Sequence, residues 1–401
     1  MSIHALQMPS PDERAEHLIR TRRLKMARSA HAYVRGSTTK FYEWLEAAGG
    51  KLPAGPDVWI CGDCHVGNLG PLADAQGRVE VQIRDLDQTV IGNPAHDLIR
   101  LALSLASAAR GADLPGVITA RMIERLVDGY TEGLAASPDG PEGEDRPKIV
   151  RGLLRRAASR RWRHLAAERI ENVEPTIPLG KSFWALSDEE RDGLVGLFGS
   201  DAVRVTVTAL NGRGAGDDVR LLDAAYWVKG CSSLGRLRYA VLVGIYGGET
   251  RRLCLIDIKE GAGAAAPRSS SARMPRENAE RVVTGARALS PHLGERMLAT
   301  RLLDRSVILR ELMPQDLKIE ADQLAKDEAV SIARYLAAVV GRAHGRQMDE
   351  FTRRRWAAEL GRNRSKTLDA PSWLWTSVVE LVASHEAAYL EHCRRYAMGD
   401  G

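Results

Sequence analysis

The sequence predicts an α+β protein in which a β-rich block of roughly 120 residues sits between helical segments. Three observations predict it. Apolar residues recur at helical spacing through much of 13–200, the texture switches near Ala202 to alternating and apolar runs, and helical spacing returns from Asp327 to the end. The units implied are 1–201, 202–322 and 323–401, the first and last joining into one larger helical part. No internal repeat is visible.

Within 13–47, Leu18, Leu24, Ala27, Ala30, Tyr33 and Val34 recur at helical spacing, followed by Phe41, Trp44 and Leu45. Gly49, Gly50 and Pro53 end that region. A short strand, Val58 to Ile60, runs into a Gly-containing turn, and a second strand, Val79 to Ile83, follows a turn at Asp74–Gly77. Pro94 opens a Leu- and Ala-rich helix over Ala95–Arg110, and 116–200 reads mostly helical around a polar loop at 137–147. In the β-rich block, Val203 to Val207 alternates as a half-buried strand does, and strands are expected at Ala225–Lys229, Leu237–Tyr246, Leu253–Lys259 and Ser306–Leu312. The segment 261–273 reads as a mobile loop and 275–289 as a helix.

Composition narrows the function classes. Apolar residues at 44% and charged residues at 27% are those of an ordinary soluble domain. A net charge of only +5, with Arg clusters at 151–163 and 352–364 that read as solvated helix faces, argues against a nucleic-acid partner. So do the 4 Phe, too few for a base-stacking surface. With no apolar run of 18 residues the sequence predicts no membrane span, and the polar stretch from Met1 to Lys25 does not read as a signal peptide. Five cysteines without a framework pattern then predict a reduced, cytoplasmic protein.

The chemistry concentrates in two stretches. In the first, Cys61-Gly62-Asp63-Cys64-His65-Val66-Gly67-Asn68 follows a strand. Phosphoryl transfer needs a carboxylate to orient a hydroxyl and oxygen ligands for magnesium. Asp63 with Asn68 on one compact loop can supply these, and Asp85, at the end of the next strand, can bring a second carboxylate to the metal, with Asp87 beside it. Cys61-x-x-Cys64-His65 also matches a haem-attachment signal, but that chemistry needs export and leaves the Asp and Asn residues unexplained, so no haem is expected. A Cys zinc or redox site lacks a second ligand pair at suitable spacing. The plain alternative is that Asp63 and Asp85 only cap turns.

Gly62-Asp63-x-His65-x-Gly67-Asn68 resembles the catalytic loop of aminoglycoside-phosphotransferase and choline-kinase-like enzymes. Asp85-Leu86-Asp87 and Gly92-Asn93-Pro94-Ala95-His96-Asp97 resemble the segments that follow it there, with Asp97 twelve residues after Asp85. The resemblance implies Asp63 as the catalytic carboxylate; His65 is a second candidate catalytic residue, read as stabilising the loop because Asp63 already fills the base role. The resemblance also implies Asn68 and Asp85 as magnesium ligands and Asp97 as the brace of the loop.

In the second stretch, Gly230-Cys231-Ser232-Ser233-Leu234-Gly235 joins two strands and keeps the outer glycines of a phosphate-covering loop, with Ser232 at the middle position. Read alone, it is a hairpin turn. Lys259 ends the apolar run from Leu255 and is the expected ATP-phosphate contact; the helix after it offers Glu277 or Glu280, with Glu280 favoured, as the ion-pair partner. Backbone groups near Glu311 and Leu312 resemble the inter-lobe hinge that meets adenine.

In ordinary kinase-like enzymes the glycine loop and Lys precede the catalytic loop, whereas here they follow it by more than 150 residues. Tyr335 to His344 resembles the helix that normally runs just before that loop. Together these imply a two-lobed kinase-like fold that is circularly permuted, which leaves packing unchanged when chain ends lie close. The whole arrangement resembles the bacterial domain of unknown function 2252 family, through Val34-Arg35-Gly36-Ser37 with Phe41-Tyr42, the Cys61–Asn68 loop, Asp85–Asp87, Gly230–Gly235 with Arg238-Tyr239, Ile258-Lys259-Glu260, Arg281–Val283 and Ala343-His344. The function expected is Mg-ATP-dependent transfer to a hydroxyl of a small molecule. Nucleotidyl (AMP) transfer to a protein and a non-catalytic nucleotide-binding pseudokinase are the alternatives.

Overall fold

The computed structural model describes residues 9–48, 51–136, 146–170, 175–210, 213–230, 234–247, 250–319, 328–362 and 370–397. In chain order the elements are α1 (Arg14–Ala27), α2 (Ala30–Gly36), α3 (Thr38–Ala48), β1 (Val58–Ile60), β2 (Leu69–Ala73), β3 (Val79–Ile83), β4 (Val90–Gly92), α4 (Ala95–Gly111), α5 (Gly116–Ala135), α6 (Lys148–Ser159) and α7 (Trp162–Arg169). They continue with β5 (Phe183–Trp184), α8 (Asp188–Phe198), α9 (Asp201–Thr208), β6 (Asp218–Trp227), β7 (Arg238–Gly247), β8 (Thr250–Glu260), α10 (Asn278–Leu289), α11 (Pro291–Gly294), β9 (Met297–Leu302) and β10 (Arg305–Leu312). Helices α12 (Ala329–Gly345), α13 (Glu350–Leu360) and α14 (Ser372–Tyr396) close the chain. The fold is mixed α+β. Among the described residues no helix is long and apolar enough to cross a membrane.

Six antiparallel strands form one sheet in the order β5-β6-β7-β8-β10-β9, while β1 with β4 and β2 with β3 form two small ribbons. Side-chain alternation divides the large sheet into two faces. Tyr239, Val241 and Val243 of β7, Cys254, Ile256 and Ile258 of β8, and Val307 and Leu309 of β10 form one face, covered by Leu18 of α1 and by α8 and α9. Ala225, Ala240, Leu242, Leu255 and Leu312 form the other, under Leu165 of α7. Register fixes what shares that second face, because Arg238 and Ile308 both lie opposite Lys259, and Arg310 lies opposite Asp257. Three charged groups and Lys259 are thereby gathered at one end of an otherwise apolar face.

The strand expected at Val203–Val207 is instead helix α9. Val203 and Val207 are buried while Val205 is 60% exposed. Positions i and i+4 share a face in both a strand and a helix, so five alternating residues cannot separate the two periods. Asp201 in the first turn and Thr hydroxyls bonded back to Ala202 and Arg204 carbonyls belong to the helical solution. Four further strands, β2, β4, β5 and β9, were not anticipated. They are two to six residues long, too short to show a period.

The largest core is built around α4, whose residues from Leu98 to Ala109 are all buried. Helices α5 and α12 pack backbone against backbone beside it. A Cβ on Gly129 or Gly133 would stand 2.0 Å from the carbonyl oxygen of Arg334 or Ala338, and one on Gly341 2.1 Å from that of Tyr130. Only glycine permits this approach, which sets His344 of α12 against Tyr130 of α5.

Candidate functional site

The loop after β1 is held by α4. Asp97, fully buried in the first turn of α4, accepts the backbone N–H of Cys61 at 2.7 Å and of Gly62 at 2.9 Å. Its Oδ2 also meets His344 Nε2 at 3.1 Å, and His344 Nδ1 meets the Tyr130 hydroxyl at 2.9 Å, which in turn accepts Trp356 Nε1–H at 3.1 Å. With a donor-only Trp at one end and an acceptor-only carboxylate at the other, a neutral His344 protonated at Nε2 satisfies every link. Gly62 turns the chain with φ +73°, and a Cβ there would lie 2.1 Å from the Gln88 carbonyl oxygen. The Tyr42 hydroxyl donates to the Gly62 carbonyl. Gly67 is likewise pressed by the Arg35 guanidinium, within 3.1–3.2 Å of where its Cβ would stand.

On this loop Asp63 is 7% exposed. Its Oδ1 accepts Arg100 Nε–H at 2.9 Å, and Arg100, buried on α4, also donates to the Val34 carbonyl at 2.6 Å. Burial raises the Asp63 carboxyl above its ordinary value, with Arg100 opposing. Asn68 donates its Nδ2 to the Asp63 carbonyl at 3.0 Å, which leaves its Oδ1 as the atom it can offer a cation. His65 is buried, its Nε2 4.0 Å from Asp63 Oδ2. Burial first, and then the charges of Arg35 and Arg100, hold its imidazole well below the usual range, so the ring is neutral near pH 7.

The carboxylates of the loop after β3 meet the large sheet. Lys259 Nζ lies 2.5 Å from Asp87 Oδ1 and 3.1 Å from Asp85 Oδ1. Asp85 keeps 44% of its side chain open. Burial would raise its carboxyl, yet Lys259 and then Arg310 outweigh that and hold it well below the usual range. The Asp87 carboxyl goes up, by burial and by the charge of Asp85. Behind Lys259, the Arg238 guanidinium forks onto both oxygens of Asp257 at 2.9 and 2.6 Å, and Arg310 adds bonds of 3.2 and 3.0 Å. Arg310 also donates to the Arg84 carbonyl at 3.2 Å, tying the sheet to the segment carrying Asp85.

The helix after Lys259 supplies a different residue from the one expected. Glu280 of α10 is exposed, and Glu277 pairs with Arg301 at 3.5 Å; the carboxylates set against Lys259 are Asp85 and Asp87. Helix phase explains this. Ala279, Val282, Val283 and Ala286 form the buried stripe, which turns Glu280 outward. The inward charged residue is Arg281, fully buried, donating to the carbonyls of Asp87 at 2.9 Å, Ala262 at 2.6 Å and Thr89. Burial lowers its guanidinium to about 10.

The remaining expected residues divide. Gly230 and Gly235 both adopt positive φ, +93° and +98°, as a turn between β6 and β7 requires, and the Gly230 carbonyl accepts Lys25 Nζ at 3.1 Å. Ser232 and Ser233 lie outside the described residues. Glu311 does not face Lys259. It lies opposite Ile256 on the other side of the sheet and forms a bidentate pair with Arg213 at 2.5 and 2.7 Å, while Arg296 donates to its carbonyl at 2.9 Å. Leu312 is buried beside Leu255 on the Asp257 face.

Asp63, Asn68, Asp85 and Asp87 all line one polar cleft of about 340 Å³, together with Thr38, Arg22 of α1 and Arg236 of the β6–β7 turn. Among the described residues no group of three His, Cys, Asp or Glu side chains is arranged to hold a metal ion. The cleft does bring two carboxylates and one amide together, oxygen donors of the type magnesium takes when waters and substrate phosphates supply its other ligands. Sequence reasoning gave no role to Arg100, Asp257 or Arg310, and named Arg238 only as part of a shared motif. Arg100 carried a readable signal, a charged residue in the apolar run Leu98–Leu103 one turn after Asp97.

No curated protein and no solved structure matches the chain. One family model does, over residues 14–395, described as an uncharacterised protein conserved in bacteria. That match spans nearly the whole sequence, and the chain belongs to the DUF2252 family.

Proposed function

We propose that the protein is a Mg-ATP-dependent phosphotransferase acting on a hydroxyl, on a two-lobed, circularly permuted kinase-like fold. The observation that carries this reading is Lys259 at 2.5 Å from Asp87 and 3.1 Å from Asp85. These groups lie more than 170 residues apart in sequence, and each was expected at a phosphate and metal site on separate grounds. The order of a glycine-ended hairpin, the strand ending in Lys259, helix α10 and then β9 and β10 supports the small lobe. The Asp97–His344 contact supports the permutation, since it returns a helix from the far end of the chain to the loop it would precede.

In this reading Asn68 Oδ1, Asp85 and Asp87 would hold magnesium, which would supply neutralisation of phosphate charge. Lys259, beside both carboxylates, would pair with a phosphate. The transfer converts an alcohol and ATP into a phosphate ester, ADP and a proton, which Asp63 receives. Asp63 lines the cleft, and its burial raises its carboxyl toward a better proton acceptor. His65, neutral and buried, supports the loop. A non-catalytic nucleotide-binding role draws on one observation, the hydrogen bond that ties Asp63 Oδ1 to Arg100.

The test is mass spectrometry of products after incubation with Mg-ATP labelled at the γ- or the α-phosphate, with a panel of alcohols. Transfer of γ-label that is lost in Asp63→Asn is expected. Transfer of α-label would replace this reading with nucleotidyl transfer, and no transfer with intact ATP binding would leave the non-catalytic role.

A further inference from the structure

The stretch 261–273, expected to be a mobile loop, is irregular but held at several points. Arg281 donates to its Ala262 carbonyl at 2.6 Å, the Ala265 N–H donates to Gln88 Oε1 at 2.7 Å, and the Ser269 N–H donates to the Ile91 carbonyl at 2.9 Å. Gly263, Ala264 and Ala265 line the cleft that holds Asp63, Asp85 and Asp87, so the loop is one of its walls. Its outer end is held by hydroxyls. The Oγ–H groups of Ser269 and Ser271 both donate to Oδ2 of Asp57, which directly precedes β1, at 2.7 and 2.6 Å. Each hydroxyl has a single proton, so both are committed to one carboxylate oxygen. Ser270 and Ser271 are exposed.

A second, independent observation is the charge around these hydroxyls. Arg268, Arg273 and Arg276 flank the three serines, and all three are exposed. Among the described residues none of them forms an ion pair or a hydrogen bond. Glu277, the next acid along the chain, is taken by Arg301 at 3.5 Å. A guanidinium presents a planar fork of donors that fits phosphate oxygens two at a time. An irregular, exposed run of hydroxyls set among unpaired arginines therefore has partners ready for a phosphate, while its present partner is a single carboxylate.

We propose that Ser271 is a phosphorylation site, and that its phosphate releases the loop from Asp57 and loosens this wall of the cleft. The Ser271 hydroxyl oxygen bonds to the γ-phosphorus of ATP as the bond from that phosphorus to the β,γ-bridging oxygen breaks. ADP leaves, and the hydroxyl proton passes to the base of the transferring kinase. The esterified Oγ then has no proton to donate. It carries instead a group of about −1.5 to −2 charge where it had been bonded to a carboxylate, and the two repel. Arg268, Arg273 and Arg276 take the phosphate, and the hydroxyl of Ser269 is left as the sole side-chain bond from the loop to Asp57. The site stands apart from the phosphotransferase reading, because any ATP-dependent serine kinase can supply the phosphate.

The test has two arms, both on the full-length protein. In the first, phosphoserine is encoded at position 271 and hydrogen exchange is followed at the Ala265 and Ser269 amides. Exchange should quicken about tenfold or more, the scale of one lost hydrogen bond to a charged group. Ser271→Ala, which removes a hydroxyl and adds no charge, should quicken it less. Asp57→Asn in the phosphorylated protein removes the repulsion and should restore part of the protection. Unchanged exchange at both amides on phosphorylation, or no restoration by Asp57→Asn, would overturn the proposal. In the second arm the protein is incubated with Mg-ATP, alone and with a serine kinase that selects arginine-flanked sites, and its peptides are mapped by mass spectrometry. Phosphate on Ser271 is expected. No phosphate there under either condition, or phosphate confined to Ser269 or Ser270, would overturn the assignment. Phosphate gained with Mg-ATP alone and lost in Asp63→Asn upholds the site and assigns the transfer to the protein itself. Phosphate that needs the added kinase upholds the site equally and lends the phosphotransferase reading no support.

Discussion

Replacing Asp97 by Ala removes the acceptor for three donors at once, the backbone N–H groups of Cys61 and Gly62 and the Nε2–H of His344, at 2.7, 2.9 and 3.1 Å. Asp97 and His344 are both fully buried, so water cannot take over these bonds without opening the core. Hydrogen bonds to a charged group contribute about 1.5–3 kcal/mol each, but the three share one carboxylate and are not additive. Removing one partner of a buried pair typically costs about 3–5 kcal/mol, and that is the loss expected for Asp97→Ala. Asp97→Asn keeps the shape and one acceptor oxygen but turns an NH₂ group toward a donor, so about half that loss is expected. Urea unfolding followed by circular dichroism gives the global stability, and hydrogen exchange at the Cys61 and Gly62 amides gives the local part. Both amides should lose protection in the Ala variant. A loss under about 1 kcal/mol, or protection unchanged at both amides, would refute the view that α4 holds this loop through Asp97.

Other expectations follow from the same contacts. Lys259 neutralises Asp85 and Asp87 in the absence of other cations, so Lys259→Met should raise the affinity for magnesium alone while weakening that for Mg-ATP, as read by calorimetry. Gly62→Ala must place a Cβ 2.1 Å from the Gln88 carbonyl oxygen at φ +73°; left-handed strain alone costs about 1–2 kcal/mol, so a larger loss is expected in urea unfolding. Burial lowers His65 well below 6.5, and His96 and His385 to about 4. The unfolded chain therefore binds more protons than the folded one below about pH 6.5, and stability is full above that value and falls as pH drops toward 4. Each such histidine removes up to about 1.4 kcal/mol per pH unit in that window, and His385→Phe should lessen the measured slope by about that amount.

Part of the candidate site was visible in the sequence because its residues are local there. Asp63 and Asn68 share one turn, and Asp85 and Asp87 share the next, so local spacing, together with the resemblance of both segments to kinase-like loops, brought each pair forward. Lys259 was legible as the end of an apolar strand between a glycine-ended turn and a helix. What escaped depends on packing between distant segments. Arg238, Asp257 and Arg310 form one network only because β7, β8 and β10 pair in a register that no local pattern specifies. Glu280 was misjudged although its helix phase was readable, since the stripe Ala279, Val282, Val283 and Ala286 turns it outward. Glu311 follows the same logic in a strand. It alternates with Arg310 and Leu312, and so faces away from Lys259.

The central claim is that Asp85 and Asp87, from the loop after β3, and Lys259, from β8, form one site for a magnesium–nucleotide complex. Calorimetric titration of ATP with and without magnesium, on the wild type, Asp85→Ala and Lys259→Ala, tests it most directly. The account predicts magnesium-dependent ATP binding in the wild type that is lost or weakened at least tenfold in both variants, about 1.4 kcal/mol or more each. ATP binding that is absent at every magnesium concentration, or that is undiminished in both variants, would contradict it.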